Sequence, residues 1–489
     1  MRALLAAWLA MVLTTTACAA EGAGPHQATG FKIGEVSDTT AIVWTRLTRR
    51  ANRNPSDGPT VTIEYAAQEP GAGRRDRTVK AVVFPPGVSV SDLREAVPGA
   101  DGDVRVQIRP EGSAAWRSSP WLGVEPLADF TRQLTIDQLE PATTYELRVE
   151  SRGVDGTPGQ TLEGKFRTAP RPAEARRVVF TTATCFGNDD QDSPDGFKIY
   201  ASMAKLNPDF FVNLGDIIYY DELAKSAELA RYHWQRMYSW PGTVAFHRNV
   251  ASLFIKDDHD TWRNDCWPSM ASGFMGEFTF RQGQAIFREQ VPLGPATYRS
   301  RRFGKLLEVW LVEGRDFRSP NDMPDGPDKT IWGAPQKKWF MDTLAGSDAV
   351  FRVLLCPTPL VGPDRPAKHD NHANAGFRHE GQELRNFLAA QPNTFVICGD
   401  RHWQYASVDP QTKLREYACG AASDAHAGGW QQSDNRPDYH RFLRVKGGFL
   451  SVTVEPGADG LVLATVRHHD VDGGVQHEDR ISAPAPRTP

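Results

Sequence analysis

The stretch "DFFVNLGDIIYYDE" (209–222) limits the fold more than any other feature of the sequence. Phe210, Phe211 and Val212 follow one another without polar alternation, as in a strand covered on both faces, and the run ends in Gly215-Asp216. A carboxylate at that depth is costly unless it is solvated at a sheet edge or bound to something positive. The same pattern recurs in "VVFTTATC", which ends at Cys185, and in "SLFIK" followed by "DDHDTWRND" (257–265). It recurs again in "LLEVWLV" followed by "EGRDFRS" (313–319) and in "TFVIC" followed by "GDRHW" (399–403). Stretches with helical pattern, "DGFKIYASMAKL", "APQKKWFMDTL" and "HEGQELRNFLAA", separate the runs and predict an α/β layered domain. Ligands of such sheets bind beyond the carboxyl ends of the strands. Five loops bearing Cys, Asp, Tyr, His and Asn are therefore expected to converge, and metal binding accounts for them together.

Residues 28–168 read as an all-β module. "TTAIVWTR" alternates, with Ile42 and Trp44 on one face, and "VTIEYAA" alternates likewise. "LEPATTYELRVES" (139–151) sets Leu139, Pro141 and Tyr145 ahead of an alternating strand, which resembles the tyrosine corner of fibronectin type III and immunoglobulin-like sandwiches. Residues 70–125, rich in Gly, Pro and charge, read as a long inserted loop or hairpin. "TAPRPAEARR" (168–177) reads as a linker, so the expected order is a fibronectin III-like β-sandwich (28–168) and then a catalytic domain (178–480). The closing "FLSVTVEPGADGLVLATVRHHD" reads as antiparallel strands.

The first twenty residues, "MRALLAAWLAMVLTTTACAA", have one basic residue, a short apolar run and then small residues, the pattern of a signal peptide. Export to the periplasm, cell envelope or exterior is the expectation. "TTTAC" resembles a lipobox that would anchor the chain to a membrane through Cys18, and "ACA" or "CAA" equally suits ordinary cleavage. With 489 residues, 40% hydrophobic and 24% charged, the chain is a globular protein large enough for two domains. The net charge of −4 and the lack of a dense Lys/Arg run argue against a stable nucleic-acid complex, and no protein partner is implied. Past the leader stand Cys185, Cys266, Cys356, Cys398 and Cys419; if the others pair, one thiol has another task.

In their order behind a β-module, "GDIIY", "DDHD…ND", "EGRDFR" and "GDRHW" resemble the PhoD-like metallophosphatases, the alkaline phosphatase D family. The family fold is a calcineurin-like metallophosphoesterase core of two sheets flanked by helices, shared with purple acid phosphatases. The resemblance implies that Cys185, Asp216, Tyr219 and His402 hold a ferric ion (Fe3+) and that Asp216 bridges to a divalent site, Ca2+ in the family. Asn264 and Asp400 match ligands of that second ion, and Asp258 of "DDHD" is placed among the metal ligands. Glu313 stands where many relatives have Asp. Thiolate and phenolate are strong anionic donors for a trivalent ion, and a Tyr that ionises near pH ~10 unaided needs such an ion to be phenolate at neutral pH. Arg315 and Arg318 offer forked donors that match phosphate oxygens, Arg315 being assigned to substrate. His259 would give a proton to the leaving oxygen or orient the phosphate. His372, in "KHDNHANAGF", is placed as a substrate-side or supporting residue.

The activity so implied is an exported metal-dependent phosphoesterase hydrolysing phosphate monoesters or diesters with metal-activated water. A purple-acid-type phosphatase is opposed by Cys185. A non-catalytic envelope protein that keeps the fold to capture a ligand is opposed by the near-complete motif set. Tyr220, Asp221 and Glu222 read as helix-start residues, since acids favour a helix N-terminus. Asn188, Asp189 and Asp190 read as solvated loop residues, and His468 and His469 as structural.

Overall fold

The computed structural model describes residues 24–67, 73–458 and 460–485, so the leader and Cys18 lie outside the described residues. Two large mixed sheets carry the architecture. One has the order Val475–Pro484, Leu461–His469, Phe449–Pro456, Val178–Ala183, Phe210–Leu214, Ala251–Ile255, Phe31–Gly34, Ala41–Arg46, Thr131–Ile136. The other runs Arg299–Phe303, Leu307–Leu311, Phe351–Cys356, Thr394–Cys398, Arg415–Cys419, Gln404–Val408, His440–Arg444. Their parallel inner strands are the apolar runs of the sequence, and the C-terminal strands pair antiparallel as expected.

Period-two alternation assigns each side chain to a layer. Phe210, Val212 and Leu214 join Phe303, Val309, Val353 and Ile397 in one core between the sheets, where the Phe210 and Phe303 rings stack with centroids 3.9 Å apart. Phe211 and Phe254 point to the other face, under the helices Lys198–Ala204 and Pro241–His247. Trp310, Leu354 and Val396 meet the helices Gly333–Gly346 and Arg378–Ala389 on the outer face of the second sheet. Among the described residues, no helix is long and apolar enough to cross a membrane.

The N-terminal residues divide among three sheets, one of them the two-stranded pair Thr62–Tyr65 and Val79–Val83. Phe31–Gly34, Ala41–Arg46 and Thr131–Ile136 extend the nine-stranded sheet through the parallel pair Gly34↔Ser252. Asp103–Pro110, Thr144–Arg152 and Pro158–Arg167 form a smaller sheet whose Val106, Leu147 and Phe166 enter the same core. The segment 168–177 thus separates stretches of sequence that share a sheet and a core. Tyr145 accepts a hydrogen bond at its hydroxyl from the Glu140 backbone N–H at 2.8 Å, the corner its sequence resembles. In the stretch 70–125, expected as a long inserted loop or hairpin, Val79–Val83 pairs antiparallel with Thr62–Tyr65, and the correction falls at Asp103–Pro110: "DVRVQIRP" alternates cleanly and is an inner strand of the smaller sheet. Regional Gly and Pro content hid it. The five described cysteines are all buried and free, so the idea of one thiol left over from pairing is also corrected.

His468 lies fully buried among Tyr417, Phe442 and His477, with Nε2 donating to the Tyr405 carbonyl at 3.0 Å. Burial, with His477 beside it, holds the imidazole neutral down to about 3. An unfolded histidine takes up a proton below about 6.5, while the folded one does not until about 3, so stability is withdrawn as pH falls through that window. At pH 5 the loss is about 2 kcal/mol. His468→Gln, which keeps a donor, should flatten the fall in thermal stability between pH 7 and pH 5 by that amount. An unchanged slope would count against the neutral buried imidazole.

Candidate metal centre and active-site pocket

Local backbone geometry explains how the strand ends meet. Cys185, Asp216 and Asp400 each follow a strand and adopt left-handed φ values of 56°, 52° and 63°. For a non-glycine residue that conformation costs about 1–2 kcal/mol, a strain found where a side chain must be aimed. Gly215, at φ 99°, lets the Asp216 loop lie against the next one: a Cβ there would sit 2.8 Å from Asp257 Cβ and 2.9 Å from its backbone N. Asp260 completes the join by accepting from the Ile218 and Asp257 backbone N–H groups at 2.9 and 3.1 Å.

Asp216 is the hub. Its carboxylate belongs to three groups whose ligand atoms lie within 4.8 Å of one another: Cys185–Asp216–His402, Asp216–Asp258–His259 and Asp216–Asp257–Asp400. Cys185 Sγ stands 3.5 Å from Asp216 Oδ2, and Asp216 Oδ1 is buried without a hydrogen-bond partner. Burial and the neighbouring Asp258 push the Asp216 carboxyl well above the carboxylate range; burial and Asp216 push the Cys185 thiol up. Burial lowers His402 far enough to keep it neutral, the form that binds metal. A buried carboxylate cluster with an orphaned oxygen, a thiol and a neutral imidazole fits cations, whose charge would reverse the upward shifts of Asp216 and Cys185 and keep His402 neutral.

Asp216, His259, Asn264, Asp400 and His402 open onto a cavity of about 340 Å³, also lined by Arg75, Arg365, Lys368 and Trp403. A larger cleft of about 610 Å³ lies at the opposite end of the strands, around Lys165, Arg167, Arg177 and Asp209, and contains none of the metal-ligating groups. Tyr219 adjoins the centre, its ring 4.3 Å from that of His259, with its hydroxyl 2.7 Å from His426 Nε2. His259 Nδ1 is held by Asp221 at 2.6 Å, which leaves Nε2 as its available ring atom.

Three expected substrate residues lie elsewhere. Arg315 is fully buried, with Nε donating to Asp257 at 2.5 Å and the guanidinium 3.8 Å from Asp258. It neutralises the carboxylates behind the pocket and does not line it. Arg318 is buried over the Phe377 ring and donates to the Asp370 carbonyl and to Asn321. His372 is buried against Trp332, with Nε2 on Glu380 at 2.9 Å. Glu313 accepts from Lys256 at 2.9 Å and from the Arg315 backbone N–H at 2.6 Å, so it holds the "EGRDFR" loop in place.

Sequence reasoning missed His426, which joins Tyr219 to Asp190 (2.7 Å to each) and lies with its ring tilted 43° to that of His402, centroids 4.3 Å apart. It also missed Asp221 as the partner of His259. Of the residues read as solvated loop, Asn188 is instead buried on His233, while the exposed Asp189 pairs with Arg236 and the partly exposed Asp190 holds His426. His426 lies in the Gly-rich "SDAHAGGW", which the bridge Thr184↔Ala421 and the Ala422 N–H donating to the Cys185 carbonyl at 3.2 Å bring to Cys185.

Alkaline phosphatase D of Bacillus subtilis (strain 168) is 24% identical over 360 residues, 63% of this chain and 60% of that protein, so the match spans less than two thirds of the relative. A solved structure of PhoD superposes with TM-score 0.68 at 16% identity, covering 94% of this chain and 92% of its own. Purple acid phosphatase PPD1 from yellow lupin (Lupinus luteus) seeds gives TM-score 0.61 at 12% identity, covering 92% and 74%. At those identities the two structures speak to fold alone, a shared architecture of mixed sheets and helices. The family model for PhoD-like phosphatases matches residues 180–438, more than half of the chain and all of the strand-end motifs. The chain belongs to the PhoD-like phosphatase family.

Proposed function

We propose that this protein is an exported metal-dependent phosphoesterase acting on phosphate monoesters or diesters. The observation that carries the reading is the Asp216 carboxylate, shared by every group of metal-ligating side chains at the base of an open pocket. Export rests on the signal-peptide pattern of residues 1–20, and Cys18 is the residue a lipid anchor would use. In this reading Cys185, Asp216, Tyr219 and His402 would hold a ferric ion, while Asp216, Asp258, Asn264 and Asp400 would serve an oxygen-rich divalent site suited to Ca2+ or another hard divalent metal, with Asp257 beside it. Such ions, when bound, supply charge neutralisation at the phosphoryl group and a nucleophile made from water.

The protein's own groups do the rest. Asp221 fixes the ring of His259, leaving Nε2 to give a proton to the leaving oxygen. Arg315 holds Asp257 and Asp258 in register, and Arg401 holds Asp400. Asp190 orients His426, which in turn fixes the Tyr219 hydroxyl.

Elemental analysis with an ester-substrate panel tests the reading. Purified protein should carry iron, show visible ligand-to-metal charge transfer and release phosphate or alcohol from chromogenic esters. Tyr219→Phe should shift or bleach the band, and Cys185→Ser should weaken iron retention more, a neutral hydroxyl being a poorer ligand than thiolate. Chelation should abolish turnover and a divalent ion such as calcium should restore it. A colourless, metal-free and fully active enzyme would overturn the assignment.

A further inference from the structure

We propose that Arg75, supplied by the N-terminal part of the chain, gives the pocket a preference for esters that carry a second phosphate group. The inference rests on the phosphoesterase reading and adds to it a substrate class. Arg75 lies on the short 3-10 turn Arg74–Asp76, between the paired strands Thr62–Tyr65 and Val79–Val83. It lines the same cavity as Asp216, His259 and Asn264. The turn is fixed there, because Tyr65 stacks on Phe274 with centroids 5.6 Å apart and Arg263 donates to the Arg75 carbonyl at 3.2 Å.

One edge of the Arg75 guanidinium is anchored, with Nε donating to Asp221 Oδ2 at 3.2 Å, yet its side chain remains 44% exposed. Lys368, Arg315 and Arg318 are more fully engaged: Lys368 is bound by Asp265 and Asp370, while Arg315 and Arg318 are buried. Arg365, 36% exposed, lines the same cavity near the Trp403 ring, with its Nε 3.6 Å from Asp364. The carboxylate and imidazole cluster addresses the scissile phosphoryl group, so a forked cation on the His259 and Asn264 side meets charge elsewhere on the substrate. A guanidinium with a free edge matches two oxygens of a phosphate, geometry that an ammonium does not reproduce.

Binding of non-hydrolysable probes decides the matter. Metal-saturated full-length protein is titrated calorimetrically with methylphosphonate and with methylenebisphosphonate, its metal content being checked afterwards. Wild type should favour the bisphosphonate. Arg75→Gln should lower bisphosphonate affinity about tenfold more than methylphosphonate affinity, the scale of one charge-assisted contact, with Arg75→Lys between them. Equal losses for both probes would mean that Arg75 acts only by holding Asp221 and His259, and no loss for either would remove it from recognition; both outcomes overturn the proposal. Melting temperatures of the two variants report folding. Because binding is read without turnover, a protein that hydrolysed no ester would sink the phosphoesterase reading while the probe affinities still judged Arg75.

Discussion

Asp216→Asn should cost on the order of 10³ in turnover while leaving the fold intact, because among the described residues one carboxylate belongs to every group of side chains able to hold a metal. Substituting a partner one shell further out typically costs 10–100-fold in metal affinity or activity, and that is the range expected for Asp221→Asn. The bridging position should lie well beyond it. Shape is conserved in the Asn variant, and burial beside Asp258 already makes the charged form of Asp216 unfavourable. After chelation, the variant should therefore melt at or above the wild-type temperature although it is inactive. Metal content, turnover and melting temperature measured on both variants check this. An Asp216→Asn enzyme within tenfold of wild type would remove Asp216 from the centre of the mechanism.

The second large effect is expected at Lys256, at the end of the strand Ala251–Ile255. Its ammonium is 1% exposed and donates to Glu313 at 2.9 Å, Asp316 at 2.6 Å and the Thr261 hydroxyl at 3.1 Å. Lys256→Met fills the space but strands two buried carboxylates, and removing one partner of a buried ion pair costs about 3–5 kcal/mol. The loss should appear as an earlier denaturation midpoint, together with weaker activity, because Glu313 also anchors the backbone of Arg315. Adding Glu313→Gln to Lys256→Met should recover part of the stability by removing one stranded charge. A midpoint shift worth under about 1 kcal/mol would show that water reaches the pair.

The strands and the convergence of their polar ends were legible because strand and site are written in the same residues. Phe210-Phe211-Val212 announces a buried strand, and Gly215-Asp216 at its end has no reason to be there unless the loop binds something. Cys185, Asp258, Asn264, Asp400 and His402 follow by the same logic, and the structure gathers them. Residue type did not disclose depth. Arg315 and Arg318 have the chemistry of phosphate ligands, but both are drawn inward, Arg315 by Asp257 and Arg318 by the Asp370 carbonyl. His426 and Arg75 were invisible for the converse reason. Neither follows an apolar run, and each reaches the pocket only through tertiary contacts, the bridge Thr184↔Ala421 for one and the Tyr65–Phe274 stack for the other.

The pairing of Val178–Ala183 with Phe449–Pro456 also dictates how the chain must be made. The strand that ends at Cys185 emerges from the ribosome early, whereas the neighbour on one of its sides is among the last segments synthesised. Until then "VVFTTA" presents an open, apolar edge able to pair with other chains. Such a long-range closure is slow, and a chain cut short anywhere before residue 449 would keep that edge permanently. Nascent chains should therefore depend on chaperone cover until the C-terminal hairpin arrives, and fragments ending at the family-matched region should aggregate rather than fold.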